Sequence, residues 1–84
     1  MLRIATKTRL NPEEAIKLAV DFFGPGPGGY GLQIKEQDAA CVYFEGAGGG
    51  VEVSACTDEE GTSLEVVSRE WDGQVREFMT KIPH

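Results

Sequence analysis

Between Tyr30 and Arg69 the chain holds four segments of strand character: Tyr30 to Lys35, Ala39 to Glu45, Val51 to Thr57 and Thr62 to Arg69. Only three to five residues join one to the next: Glu36-Gln37-Asp38, the glycine tract from Gly46 to Gly50, and Asp58-Glu59-Glu60-Gly61. Connections that short close antiparallel hairpins, whereas a crossover to a parallel neighbour takes about a dozen residues or more. Half of the protein is thereby committed to a four-stranded meander.

The flanking segments supply the rest. Leu2, Ile4 and Thr6 alternate with Arg3, Ala5 and Lys7, the period of two expected of a half-buried strand over Leu2 to Thr6. Asn11-Pro12-Glu13-Glu14 reads as a helix start, with Asn11 capping the free amides, Pro12 at the first helical position and Glu14 reaching back. Ala15, Ile16, Ala19, Val20 and Phe23 recur at spacings that build one apolar face, and Gly24-Pro25 ends the helix. From Glu70 onward Trp71, Val75, Phe78, Met79 and Ile82 form a second helical stripe, closed by Pro83.

The order is therefore β-α-β-β-β-β-α, without internal repeat or linker, and residues 1–84 read as one α+β domain. Two helices, each with one apolar face, and one sheet predict a two-layer sandwich: a five-stranded, mainly antiparallel sheet with both helices on one face and the other face bare. The strand phases direct Ile4, Leu32, Ile34, Val42, Phe44, Val51, Val53, Leu64 and Val66 inward. They direct Gln33, Lys35, Cys41, Tyr43, Glu45, Glu52, Ser54, Cys56, Glu65, Val67 and Arg69 outward.

Composition excludes several classes of function. Eight basic against fourteen acidic side chains leave a net charge of -6, so the mean field repels phosphate, and the bases are scattered where a nucleic-acid footprint needs them gathered. Nucleic acid is not an expected partner. No apolar run approaches the roughly 20 residues of a membrane span, so no membrane association is expected, and without a secretion signal at the N-terminus a cytoplasmic location is the default. Cys41, Cys56 and the terminal His84 cannot make a four-ligand zinc site, and the sequence calls for no metal and no cofactor.

The β-α-β4-α order resembles the topology of a single repeat of the TATA-binding protein and of reduced members of the helix-grip group, which includes the Bet v 1-like ligand-binding proteins. The likeness spans nearly the whole chain, rests on element order, and carries no residue role with it. The first resemblance implies that the open sheet face is the working surface; there Glu45, Glu52 and Glu65 stand where DNA contacts would need Arg and Lys. The second implies an apolar pocket for a small apolar ligand between sheet and C-terminal helix, walled by Trp71, Val75, Phe78 and Met79. In so short a chain those side chains are also what the core needs for its own filling.

Other motifs have structural readings. Gly24 to Gly29 formally satisfies GxGxxG, but it leaves a helix and enters a strand, where a dinucleotide site needs the reverse, and its prolines remove amides. A turn centred near Gly48 sets Cys41 opposite Ala55 and close to Cys56, the neighbourhood a redox pair would need; a cytosolic chain keeps such thiols reduced. Glu45, Glu52 and Glu65, with Tyr43 and Ser54, are the material for an enzyme on the open face. Solvated acids explain them as well, and His84 at the terminus is badly placed as a general base.

The reading that follows is a non-enzymatic binding or interaction module, homodimeric through its open sheet face or a sheet edge. The candidate interaction face is Cys41, Tyr43, Glu45, Glu52, Ser54, Cys56, Glu65 and Val67, a set less polar than a purely solvated face requires. The alternatives are the apolar-ligand carrier and the enzyme.

Overall fold

The computed structural model describes residues 1–59 and 61–83; Glu60 and His84, the sole imidazole, lie outside the described residues. The elements are β1 (Leu2–Thr8), α1 (Pro12–Phe23), β2 (Gln33–Gln37), β3 (Cys41–Gly46), β4 (Gly49–Asp58), β5 (Gly61–Arg69) and α2 (Asp72–Lys81). This is the expected β-α-β-β-β-β-α order and an α+β class. The sheet order is β1-β5-β4-β3-β2 and every ladder is antiparallel, so the meander stacks strand by strand and β1 returns to close against β5.

Helix α1 starts where the sequence says it must. Asn11 Oδ1 accepts from the Glu14 amide at 2.8 Å while Glu14 Oε1 accepts from the Asn11 amide at 3.1 Å, a complete capping box. Ala15 and Ala19 are fully buried, and their small side chains let the helix lie close on the sheet beside Ile16 and Phe23. Helix α2 buries Val75 and Phe78, with Ile82 just beyond its end. The rings of Phe22, Phe23, Phe44 and Phe78 meet at centroid distances of 4.9 to 5.6 Å, joining both helices to the inward face of β3. Val42, Phe44, Val51, Val53, Leu64, Val66 and Leu32 are buried as their phases predict, and Ile4 and Ile34 pack half-buried at the margins.

Four details differ from expectation, each for a local reason. Strand β2 starts at Gln33 rather than Tyr30, because the amides of Tyr30, Gly31 and Leu32 donate to Phe22, Gly24 and Phe23 carbonyls at 2.9 to 3.1 Å and so serve the end of α1. It then carries a bulge between Ile34 and Glu36, which takes Lys35 out of the ladder and puts Glu36 opposite Tyr43. The β3–β4 hairpin closes in two residues, Ala47 and Gly48, with Gly48 at φ +81°, so Cys41 lies opposite Ser54 and not Ala55. Cross-strand partners share a face, and Ala55 belongs to the buried one. Finally, α2 begins at Asp72 because Glu70 takes a positive φ of 70° and Ser68 Oγ accepts from the Trp71 amide at 3.2 Å.

Candidate functional site: the open sheet face

With both helices on the inward side, five strands present their outward residues in register. One row across the sheet reads Arg3, Val67, Glu52, Tyr43, Glu36 from β1 to β2. The next row toward the β3–β4 turn reads Arg69, Gly50, Glu45, Gln33, and on the other side lie Ala5, Glu65, Ser54, Cys41 and then Lys7, Ser63, Cys56. All eight residues of the expected interaction face share this surface. Glu45, Glu52 and Cys56 are exposed; Cys41, Tyr43, Ser54, Glu65 and Val67 are half-buried by their neighbours.

The charges are sorted by strand. Apart from Lys35, exposed in the β2 bulge beside Glu36, cations occupy the β1–β5 side as Arg3, Lys7 and Arg69, and acids without an ion pair occupy the β4–β3–β2 side as Glu52, Glu45 and Glu36. Arg3 stands 3.9 Å from Glu65, and Lys7 reaches both Asp58 and Ser63 Oγ, the latter at 2.9 Å, with Ser63 donating to Asp58 at 2.7 Å. Among the described residues Arg69, Glu36, Glu45 and Glu52 take part in no intrachain ion pair. Between the two halves sits an apolar notch of about 180 Å³ lined by Met1, Tyr43, Gly50, Glu52, Val67 and Arg69. It exists because Gly50 has no side chain: a Cβ there would stand 2.7 Å from the Phe44 carbonyl oxygen and 3.0 Å from the Tyr43 hydroxyl.

The basic half of this face was not assembled by sequence reasoning. The alternation of β1 showed that Arg3 and Lys7 point away from the core, but nothing local says that β1 pairs with β5. Gly50 belongs by sequence to the glycine turn and in the fold lines the notch; Glu36 belongs by sequence to a connection and in the fold to β2.

The two cysteines are free thiols on one face, with Cys41 Sγ 3.7 Å from Ser54 Oγ and Cys56 diagonal to Cys41 across the β3–β4 ladder. Diagonal neighbours are about 7–8 Å apart, beyond disulfide reach. The GxGxxG-like segment turns its amides onto its own chain: Gly29 donates to Gly26 at 3.0 Å and Gly31 to Gly24 at 2.9 Å. A Cβ at Gly29 would lie 2.2 Å from the Gly24 carbonyl oxygen, so this is a packed helix stop.

The expected pocket wall lies in the core. Val75 and Phe78 are fully buried, Met79 packs half-buried at the margin, and Trp71 sits over Gly46 with its ring 6.3 Å from that of Tyr30. Trp71 Nε1 is buried and has no hydrogen-bond partner among the described residues. The Tyr30 hydroxyl donates to Glu77 at 2.6 Å, and that carboxylate, by hydrogen bond, desolvation and charge, raises the phenol above its usual pKa of 10.0. The largest depression, about 480 Å³, is elsewhere: an open groove between Glu13, Ile16, Lys17 and Val20 of α1 and the β2–β3 turn at Gln37, Asp38 and Ala39.

Among the described residues no group of three or more acidic, Cys or His side chains is placed to hold a metal, and no helix is long and apolar enough to cross a membrane. The chain matches no protein-family model, no curated protein and no solved structure.

Proposed function

We propose that this protein is a non-enzymatic interaction module that works through its open sheet face and pairs with a second copy of itself. The observation that carries this reading is the composition of that face. Half-buried Tyr43 and Val67 flank a notch at Gly50, and beside them stand ions with no partner in their own chain among the described residues. A face evolved only for water has no need of the half-buried apolar pair and its notch.

Both sheet edges are less suited. Strand β2 is short, bulged and charged, features that discourage strand addition, and β1 carries Arg3 and Lys7 along its length. The likeness in element order to the TATA-binding protein supports a working surface in the same place. The acids Glu45, Glu52 and Glu65 favour a protein partner over phosphate. The carrier reading would require space beneath Trp71 and Phe78, where the rings of Phe22 and Phe23 stand 5.3 and 5.1 Å from that of Phe78. On the enzyme reading, Glu45 and Glu52 are solvent-exposed, and the Ser63 hydroxyl that donates to Asp58 shares that carboxylate with Lys7.

Sedimentation equilibrium over about 1 μM to 1 mM tests the reading, the span of dissociation constants expected of a weak, concentration-dependent dimer. The expected result is a monomer–dimer equilibrium that Val67→Asp shifts to monomer, with the far-ultraviolet circular dichroism unchanged. A monomer at every concentration would overturn self-association.

A further inference from the structure

The rows of the open face have a second property. Read from β1 to β2 and then in reverse, two of the four rows complement themselves except at Glu52: Arg3 answers Glu36, Val67 answers Tyr43 and Arg69 answers Glu45. Strand β4 is the middle of five, with β5 and β1 on one side and β3 and β2 on the other. We propose that the two copies are related by a twofold axis running along β4, parallel to the strands and between the two sheets; this rests on the self-association proposed above and specifies its geometry.

Such an axis lays β4 over β4 of the second copy, β5 over β3 and β1 over β2. Arg69 of each copy then meets Glu45 of the other, because both flank Gly50 in one row. Val67 meets Tyr43, because both flank Glu52, and Arg3 meets Glu36 at the ends of that row. The two apolar pairs fall beside the axis, on which Glu52 meets its own copy, and the ion pairs lie beside and outside them; every contact off the axis occurs twice, as an isologous pair requires.

The alternative in-plane axis, perpendicular to the strands, lays β1 over β1 and β2 over β2. It would set Arg3 and Lys7 of one copy against the same cations of the other, and acids against acids. Like charges opposed across an interface disfavour that arrangement, so the sorting of charge by strand selects the axis along β4. One like-charge contact survives on it, Glu52 against Glu52. The face is also small: five strands about 4.8 Å apart and about seven residues long offer roughly 550 Å² per copy, just enough for a specific but concentration-dependent dimer.

The test combines charge reversal with cross-linking. Sedimentation equilibrium on Arg69→Glu and on Glu45→Arg is expected to show dissociation constants raised by about tenfold or more, since each change sets two like pairs across the interface. The double variant, which restores both pairs with polarity exchanged, is expected to return to within about threefold of the parent. Where one reversed variant fails to fold by circular dichroism, the other single variant decides the electrostatic arm. Independently, Cys56 lies on β4 and faces Cys56 of the second copy, whereas Cys41 on β3 faces Glu65 on β5. A short bis-maleimide, which adds one thiol to each of its two double bonds, should therefore cross-link Cys41→Ser in its dimer range and leave Cys56→Ser uncross-linked.

A dimer that tolerates both reversals, a double variant no better than either single one, or cross-linking through Cys41 would overturn this axis while leaving self-association in place. A chain that stays monomeric throughout would overturn both.

Discussion

Gly49 and Gly50 show how much one missing methyl group decides. Of the glycines in the tract only Gly48 has the positive φ that a hairpin turn demands. Gly49 and Gly50 are strand residues held close to neighbouring backbone: a Cβ on Gly49 would lie 1.9 Å from the Arg69 carbonyl oxygen, and one on Gly50 would meet Phe44 and Tyr43. A sequence shows the glycines but not which need is met by which, because close approach is set by strands distant along the chain. Tyr30 is another residue whose role comes from afar, 47 positions from its partner Glu77. Its raised pKa means that the folded chain holds the phenol protonated where an unfolded chain would release it. The stabilisation is thus fully present below about pH 10 and lost as pH rises through the higher folded-state value. In a Tyr43→Phe background the phenolate absorbance of Tyr30 should titrate above pH 10, and Glu77→Gln should bring the midpoint down toward 10.

Among the elements, the two helices begin differently. The start of α1 is closed by the reciprocal Asn11–Glu14 bonds, whereas α2 has Trp71 at its N-cap position with no side-chain cap bond and carries Gly73 in its first turn. Asn11→Ala should cost about 1 kcal/mol in urea unfolding, the usual value of a cap. Gly73 has an ordinary φ and nothing within 4 Å of where a Cβ would stand, so Gly73→Ala should add about 0.5–1 kcal/mol in the same measurement. The capping box of α1 was legible because all its groups lie within four residues. The start of α2 was not, because Ser68 leaves the sheet buried and bonds the Trp71 amide while Glu70 turns through a positive φ. The bulge in β2 was equally hidden, since it answers to the register of β3 rather than to anything within Gln33–Gln37.

At the scale of the whole molecule, one core serves both helices and the sheet, and Phe78 lies near its centre with its ring against Phe22 and Phe23. Phe78→Ala should therefore cost about 3–5 kcal/mol in denaturant unfolding, a large share of the stability of so small a domain. Were Phe78 the wall of an open ligand pocket, its truncation would enlarge that pocket at little cost, and a loss below about 1 kcal/mol would revive the carrier reading. The same core explains why the opposite face is bare. Both helices are consumed in covering the inward side.

Local pattern alone determined the element order, the face toward which each regular strand turns its apolar residues, the cap of α1 and the antiparallel pairing of the meander, because these depend on periods of two and 3.6 and on short connections. It also placed all eight candidate residues of the interaction face together. Only the tertiary structure decided that β1 closes against β5, carrying Arg3 and Lys7 to one side of that face, and that Cys41 aligns with Ser54. Only it decided that Val75, Phe78 and Ile82 are core while Trp71 and Met79 pack at its margin. Each of these depends on which distant backbone an element meets, and the choice is made by filling one volume with every apolar side chain at once rather than by any segment's own preference.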